Sequence, residues 1–465
     1  MAFRTFDRSL YFALESSEGA WTSPTLDTGY LETIDPTFTV TPRVYERNPT
    51  RLSMTPAPNF HTGTSVLSPG SAAEISFTVE MAGSGTLGTA PRWAALLKAC
   101  GMTELSTVKS AAIGDVTRAL GGPAAFRNYE NVSTTGSAYD ATQRNGRVIS
   151  DTFKDDGTLY YQPMTGTPNP IGSTEAIWGQ ASAATATASG GEAASGLAYV
   201  MDSGTEQGGG DNSSISIRVY LNQIDQVTVA NNAHIDFFGC RGNVEFVMAA
   251  GDRVLMNFTF MGKVYQYREN TLPVPTAEGR PIPPAFVGVD MAVQDSNYGV
   301  TSTDAFTGQV FSTFNLNLGN EVILREDADS GNSGYLTGWI TGRTPTATWN
   351  PDAVLADSGV APSTSTINFW DRFITGETIR SKFTVGSTAG NQFVFKMPAM
   401  QFTGLADGNR DEVVVYDSTT TLTGGDYGSS VQDRGVASSG GVDDISSTVT
   451  NARLGTNNEL VLFIL

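Results

Sequence analysis

The chain has 465 residues, room for two or three domains and a substantial core. Charged residues make up only 16% of it, against about 25% in an average soluble protein. Subtracting 47 acidic from 28 basic residues leaves a formal charge of −19, which excludes holding nucleic acid by counterion release. Two cysteines, Cys100 and Cys240, are too few for a disulfide framework.

The opening "MAFRTFDRSLYFALESSEG" has no long apolar run, so no secretory signal is expected. No stretch approaches the ~20 apolar residues of a membrane span, so no membrane partner is expected and the chain should stay soluble or assemble in a cytoplasm. "RLSMTPAPNFHTGTSVLSPG" follows at 51–70. It is too long for a tight hairpin, and Met54, Phe60, Val66 and Leu67 in it call for cover. In "EISFTVEM" polar Glu74, Ser76, Thr78 and Glu80 alternate with apolar Ile75, Phe77, Val79 and Met81, the pattern of a strand with one buried face. Gly83, Gly85 and Gly88 come next, then a helix predicted over 91–100. Trp93, Leu96, Leu97 and Cys100 share its apolar face, Pro91 opens it and Gly101 stops it.

Residues 179–213, rich in Ala, Ser, Thr and Gly, are low in complexity and are expected as an excursion or surface loop. Alternation then dominates: Ile215 to Leu221, Val254 to Phe260, Phe314 to Leu318 and Phe393 to Met397 each predict a strand. Gly, Asn and Asp punctuate them as turns in "AAGDR", "DADSGNSG" and "STAGNQ". "NFWDRFI" predicts a short helical turn and "ELVLFIL" a closing strand. Five prolines between Pro273 and Pro284 mark an extended linker. It divides the chain into an N-terminal unit (1–272), the linker (273–285) and a C-terminal unit (286–465). The two units show a faint likeness, with 51–81 matching 321–349 and the hairpin 241–264 matching 381–405. The fold class expected is all-β with short helices.

The G-x-G-x-x-G array of Gly83, Gly85 and Gly88 raises a dinucleotide site and then argues against it. A Rossmann turn follows a parallel strand buried on both faces, and its helix starts inside the array. Here the strand alternates and the helix waits until Pro91. Glu104 lies at the distance of a ribose ligand but follows no buried second strand. The glycines are expected to give a side-chain-free crossing from strand to helix. His61 and His234 are the two histidines; neither has a partner at zinc-ligand spacing, and both are expected to be structural or solvated. Glu326, Asp327 and Asp329 cluster without the rest of a calcium loop and predict a hairpin tip. No catalytic residue, metal or cofactor is expected.

The stretch "FTVEMAGSGTLGTAPRWAALLKACG" resembles the tail tube (major tail) proteins of long, non-contractile-tailed phages. Members carry a strand ending Phe-x-Val-Glu-Met, then Gly-Ser-Gly-Thr, a proline, and a helix ending Leu-Leu-x-Ala-Cys-Gly. A second block, Gly239, Arg241, Gly242, Ala250, Gly251 and Phe260 to Gly262, and a third, Thr337 to Asp352, are also similar to such proteins. The resemblance implies packed antiparallel sheets with a flanking helix, here as two tube-type units. It implies rings of copies, stacked into a hollow tube in the virion, with three two-unit chains completing an approximately sixfold ring. The 51–70 connection, with the segment before "IDPTFTV" as a second candidate, would then join stacked rings. Tape measure protein and genomic DNA would be transient occupants of the lumen, which part of the negative charge would line. Tail terminator and distal tail proteins would cap the ends. The rival expectations are a β-sandwich carbohydrate-active enzyme and another virion or adhesion protein.

Overall fold

A computed structural model describes residues 3–25, 29–42, 45–46, 66–67, 70–106, 108–114, 116–118, 126, 131–134, 144–150, 157–163, 170–179, 184–201, 214–223, 232–270, 279–289, 291–295, 309–328, 334–353, 368–423 and 459–465. The protein is mostly β-sheet, with two short helices among the described residues. The chain begins β1 (Phe3–Leu14), β2 (Tyr30–Leu31), β3 (Ile34–Pro42), β4 (Tyr45–Glu46), β5 (Val66–Leu67), β6 (Ser71–Glu80), α1 (Ala94–Ala99) and β7 (Met102–Leu105). It continues β8 (Lys109–Ala112), β9 (Thr117–Arg118), β10 (Asn131–Ser133), β11 (Arg144–Val148), β12 (Thr158–Pro163), β13 (Ala176–Gly179), β14 (Ala184–Thr187) and β15 (Ala193–Ala194). Then come β16 (Leu197–Met201), β17 (Ile215–Gln223), β18 (Asn232–Ala249) and β19 (Leu255–Asn270). Beyond the prolines lie β20 (Met291–Asp295), β21 (Phe311–Asn317), β22 (Asn320–Glu326), β23 (Tyr335–Arg343), β24 (Thr346–Pro351), α2 (Phe369–Thr375), β25 (Ile379–Val385), β26 (Phe393–Arg410), β27 (Val413–Leu422) and β28 (Val461–Ile464).

One topology occurs twice. Before the prolines, six strands lie side by side as β1-β17-β18-β19-β6-β3. After them, six lie as β20-β25-β26-β27-β24-β21. Taken along the chain, the first, second and third strands of each set are β1, β3, β6 and β20, β21, β24, so the winding is the same. A separate two-stranded ladder stands between the second and third strand of each set, β4–β5 in one and β22–β23 in the other. A short helix follows the third strand in both. Even a bulge recurs: β17–β18 shifts register between Ile215/Ile217 opposite Cys240/Phe237, and β25–β26 between Ile379/Ser381 opposite Met400/Met397. Sheet order therefore matches the hairpin 381–405 to β17–β18. The sequence likeness with 241–264 is one strand out, because alternating hairpins look alike locally.

The two sets are joined edge to edge. Residues 245–249 of β18 pair antiparallel with 313–317 of β21, making part of one 16-stranded sheet. The core is shared as well: Phe246 meets Phe395 edge-on at 5.4 Å between centroids, and Phe383 lies within aromatic contact of both Phe314 and Phe395. The units expected at 1–272 and 286–465 thus have a common sheet and a common apolar interior across the proline stretch. The stretch itself is tied down where described. Arg280 reaches Glu32 at 2.7 Å and Glu80 at 3.4 Å, and Phe286 is buried.

Local chemistry accounts for the elements. On β6, Ile75, Phe77 and Val79 face the core, as does Met81 just after it, while Glu74 is exposed on the other face. Phe77 stacks on Phe258 and Phe260 of β19. Helix α2 has both of its stops in the sequence. Asn368 caps its start by accepting from the Asp371 N–H, and Gly376 ends it at a φ of 72°, where glycine is free of Cβ strain.

The first set alone carries an insertion, between α1 and β17. Strands β8 to β15 form an eight-stranded antiparallel sheet with its own core around Phe126, Val132, Leu159, Tyr161 and Ile177. β14, β15 and β16 fall inside 179–213, the stretch expected as a loop, so that expectation is corrected for Ala184–Thr187, Ala193–Ala194 and Leu197–Met201, the last a buried strand between β7 and β28 of the large sheet. Ala184, Ala186 and Ala188 are buried there. Alanine is too small to mark a period-two pattern, yet it fills a thin core. Residues 202–213 of the same stretch lie outside the described residues.

A shared core predicts shared unfolding. Phe246→Ala removes a fully buried ring at the join and should cost about 3–5 kcal/mol. In calorimetry the variant should show one lowered transition for both six-strand sets. A split into two transitions would show that the sets unfold independently.

Candidate functional site

The glycine array sits where the two halves touch. Gly83 donates its N–H to the Asn391 side-chain oxygen at 2.7 Å, and Gly85 donates to the Gly390 carbonyl at 3.1 Å. Gly390 in turn donates to the Leu465 carbonyl at 2.7 Å, and the Asn391 amide donates to the Ile282 carbonyl at 2.9 Å. A Cβ on Gly83 would lie 1.9 Å from the Gly390 oxygen, so two backbones meet here with no room for a side chain. Gly85 and Gly88 have φ values of 78° and 76°. The strand leading in, β6, is antiparallel to both its neighbours, and α1 starts only at Ala94. The array is therefore a packing joint between distant segments, with a turn at 386–392 as its counterpart. Sequence reading missed Gly390 and Asn391, since a partner some 300 residues away leaves no local trace.

Of the predicted helix, α1 covers Ala94–Ala99, with Pro91 to Trp93 in the turn before it. Trp93, Leu96, Leu97 and Cys100 are all fully buried. Trp93 also donates its indole N–H to the Ala82 carbonyl at 2.7 Å, which ties helix to crossing. Burial pushes the Cys100 and Cys240 thiols well above the usual range, so both are held as inert apolar groups.

Of the four residues assigned to a contact loop, Met54 and Phe60 lie outside the described residues, as does His61. Val66 and Leu67 form β5, pairing with Glu46 and Tyr45 in a ladder between β3 and β6. The topological counterpart, β22–β23, exposes Ile323.

Two strand edges differ from their counterparts. β21 is covered on both sides, by β24 and β18, and its Phe314 and Leu316 are fully buried. β3, its counterpart in the first set, pairs only with β6 among the described residues, and Thr37, Thr39, Val40 and Thr41 on it are exposed. Likewise 245–249 of β18 lie between β19 and β21, whereas the distal part of β26 pairs only with β27 and exposes Ala406, Asp407 and Asn409. Val413 and Val414 beside it are exposed too.

Several titratable groups inside the fold are held in polar contacts. Asp236, wholly buried, takes two bonds from Arg218 at 2.6 and 2.9 Å and one from the Gln266 amide at 2.7 Å. His234 lies 3.6 Å from Asp236, under Tyr220, and burial lowers its pKa, which keeps it neutral. Glu15 is a buried carboxyl at the end of β1. It accepts from the Gly239 and Gly19 N–H groups at 2.7 and 2.9 Å and from the Ser214 and Ser216 hydroxyls at 2.5 and 2.8 Å. Burial raises its pKa, and these four donors oppose the rise. Glu104 pairs with Lys98 at 3.1 Å and accepts from the Tyr199 hydroxyl at 2.9 Å. Glu326 and Asp327 close the β22–β23 ladder, and Asp329 lies outside the described residues. Among the described residues no three His, Cys, Asp or Glu side chains are grouped to hold a metal ion. No helix there is long and apolar enough to cross a membrane.

Two predictions arise. Gly83→Ala forces backbone apart and should destabilise by more than about 3 kcal/mol, while Gly88→Ala, with nothing within 4 Å, should cost only the about 1–2 kcal/mol of a left-handed residue. Urea unfolding of both variants checks the contrast. The raised Glu15 pKa means that its contribution is complete below the ordinary carboxylate range and is lost as pH rises through the folded-state value. The stability difference between wild type and Glu15→Gln should therefore move in favour of the variant as pH rises through that window. A difference independent of pH would show that Glu15 is not shifted.

Comparison with known protein families finds no family model that matches the chain, and no curated protein matches it.

Proposed function

We propose that the protein is a structural virion subunit that polymerises into the hollow tail tube of a long, non-contractile-tailed phage. The observation that carries this reading is the doubled topology: two six-strand sets, each with a separate two-stranded ladder and a flanking helix, fused edge to edge into one sheet. A chain built this way already makes, within itself, the kind of lateral contact that a ring repeats between copies. The likeness of residues 77–101, 239–262 and 337–352 to tail tube proteins supports the same reading.

In this function, three copies surround a lumen as six sets, and rings stack through the ladders β4–β5 and β22–β23. The chain needs no catalytic centre, metal or cofactor. Its partners are other copies of itself, tape measure protein and then genomic DNA in the lumen, and terminator and distal tail proteins at the ends. Assembly takes place in the host cytoplasm and the product belongs to the virion. A share of the −19 charge on the lumen wall would repel DNA phosphates over a Debye length of about 8 Å and keep the passing genome from sticking.

Negative-stain microscopy of the purified protein, concentrated, tests the proposal. Hollow striated tubes with three chains per ring are expected. Isolated globules at every concentration would reject it, and six chains per ring would reject the two-set arithmetic. A lumen lined mainly by Lys and Arg would remove the charge role alone.

A further inference from the structure

The edge contact inside the chain is used once, and among the described residues the surfaces for using it again are both present and unpaired. We infer that the distal part of β26 in one copy pairs antiparallel with β3 of the next copy, repeating between chains the ladder that β18 and β21 form within one. This rests on the reading that copies of the chain associate, and it names the strands through which they do so.

Four observations carry it. First, β3 and β21 hold the same place in the two sets, as do β18 and β26. Second, the internal members of these pairs are covered and the external ones exposed, on both sides of the would-be contact. An unpaired edge of backbone N–H and C=O groups is a template for another strand. Third, the available lengths agree. The internal ladder is five residues long, Glu245↔Asn317 to Ala249↔Thr313. On β3, five residues, 37–41, lie between Pro36 and Pro42, and the prolines bound the run because they offer no N–H; in the register below they face 404–408 of β26, a run offset by two residues from the counterpart of the internal ladder. Fourth, the side chains that meet are compatible. The Leu318 N–H donates to the Val244 carbonyl at 3.1 Å beside the internal ladder. By position and facing, Leu405 is the counterpart of Val244, and Val40 that of Leu318. Leu405 packs against the core from a partly buried position, and Val40 is 38% exposed. That register sets Ala406 opposite Thr39, both exposed, where the internal ladder has Glu245 opposite Asn317.

The contact is heterologous, since β3 and β26 are different surfaces. It therefore closes a ring or extends without end, and cannot stop at a symmetric pair. It also leaves the bulk of the insertion's sheet outside the pairing, because neither β3 nor β26 shares a ladder with β8 to β15.

Paired cysteines test it. Cys100 and Cys240 are fully buried, so the wild type is an unreactive blank. Thr39→Cys with Ala406→Cys in one chain puts two thiols directly opposite each other across the proposed ladder, at Cβ separations of about 4.5–5.5 Å. Oxidised tubes of the double variant, run without reductant, should give linked dimers and a closed three-chain product. Each single variant should give only monomers. Linkage by Thr39→Cys alone or Ala406→Cys alone would show a symmetric contact and overturn the inference. So would tubes of the double variant that stay unlinked, which would leave the tube reading intact. Wild-type protein that remains monomeric in sedimentation at all concentrations would overturn both. Both sites are exposed, so native near-ultraviolet circular dichroism is expected of every variant and rules out misfolding as the cause of a negative result.

Discussion

The pairing of β18 with β21 is the contact on which the rest of the molecule depends. A strand edge buried away from water must have its N–H and C=O groups bonded, because each one left bare costs free energy comparable to a lost hydrogen bond. The long strand β18 meets that demand with two neighbours in succession. Its first half lies beside β17, its last five residues lie beside β21, and β19 runs along its other side from Asn232 to Val247. The transfer brings Phe246 and Met248 against the second six-strand set and so merges two interiors into one. The glycine joint at Gly83 and Gly390 follows from the merger. Once the sets are drawn that close, two backbones pass within van der Waals distance and no Cβ fits between them.

The proline stretch acquires its meaning from the same constraint. In sequence it looks like a spacer between domains. In the fold its described part is clamped by Arg280 on Glu32 and Glu80 and by the Ile282 carbonyl on Asn391. Proline suits such a strap, since a segment with few N–H groups can cross a surface without demanding a ladder of its own. The strap carries the chain from the end of one set to the start of the other while the sets themselves make the contact.

The class of fold was open to reading in the sequence because period-two burial is a local property. Ile215 to Leu221 and Phe393 to Met397 announce strands without knowledge of anything else in the chain. Trp93, Leu96, Leu97 and Cys100 announce a helix face in the same way, and Asn368 with Gly376 brackets the second helix. Pairing is a different matter. Nothing in Phe314 or Glu245 tells that their strands are neighbours, and every hairpin with a glycine turn resembles every other, which is how 381–405 came to be likened to the wrong strands. The insertion was hidden for another reason. Two of its strands, β14 and β15, are built from alanine and threonine alone, whose small side chains carry little contrast between an inward and an outward face. Residues with chemical character, such as Glu15 and Asp236, gave no signal either, because what makes them special is burial among donors contributed by remote strands.

The insertion leaves and rejoins the main sheet at adjacent points. Leu105, at the end of β7, stands directly opposite Ala198 near the start of β16. Everything between them, the eight-stranded sheet included, hangs from one rung of a ladder. A two-residue turn could in principle replace it and leave β7 and β16 as an ordinary hairpin. The sheet thus behaves as a cassette: its own core travels with it, and among the described residues it meets the host at a seam where Ile149 and Tyr160 join Val394, Val461 and Phe463 and Lys396 lies over the Tyr160 ring. Such a seam is simple to reproduce with a different insert that presents two apolar side chains. The insertion is in that sense exchangeable, while the sheet that carries it is not.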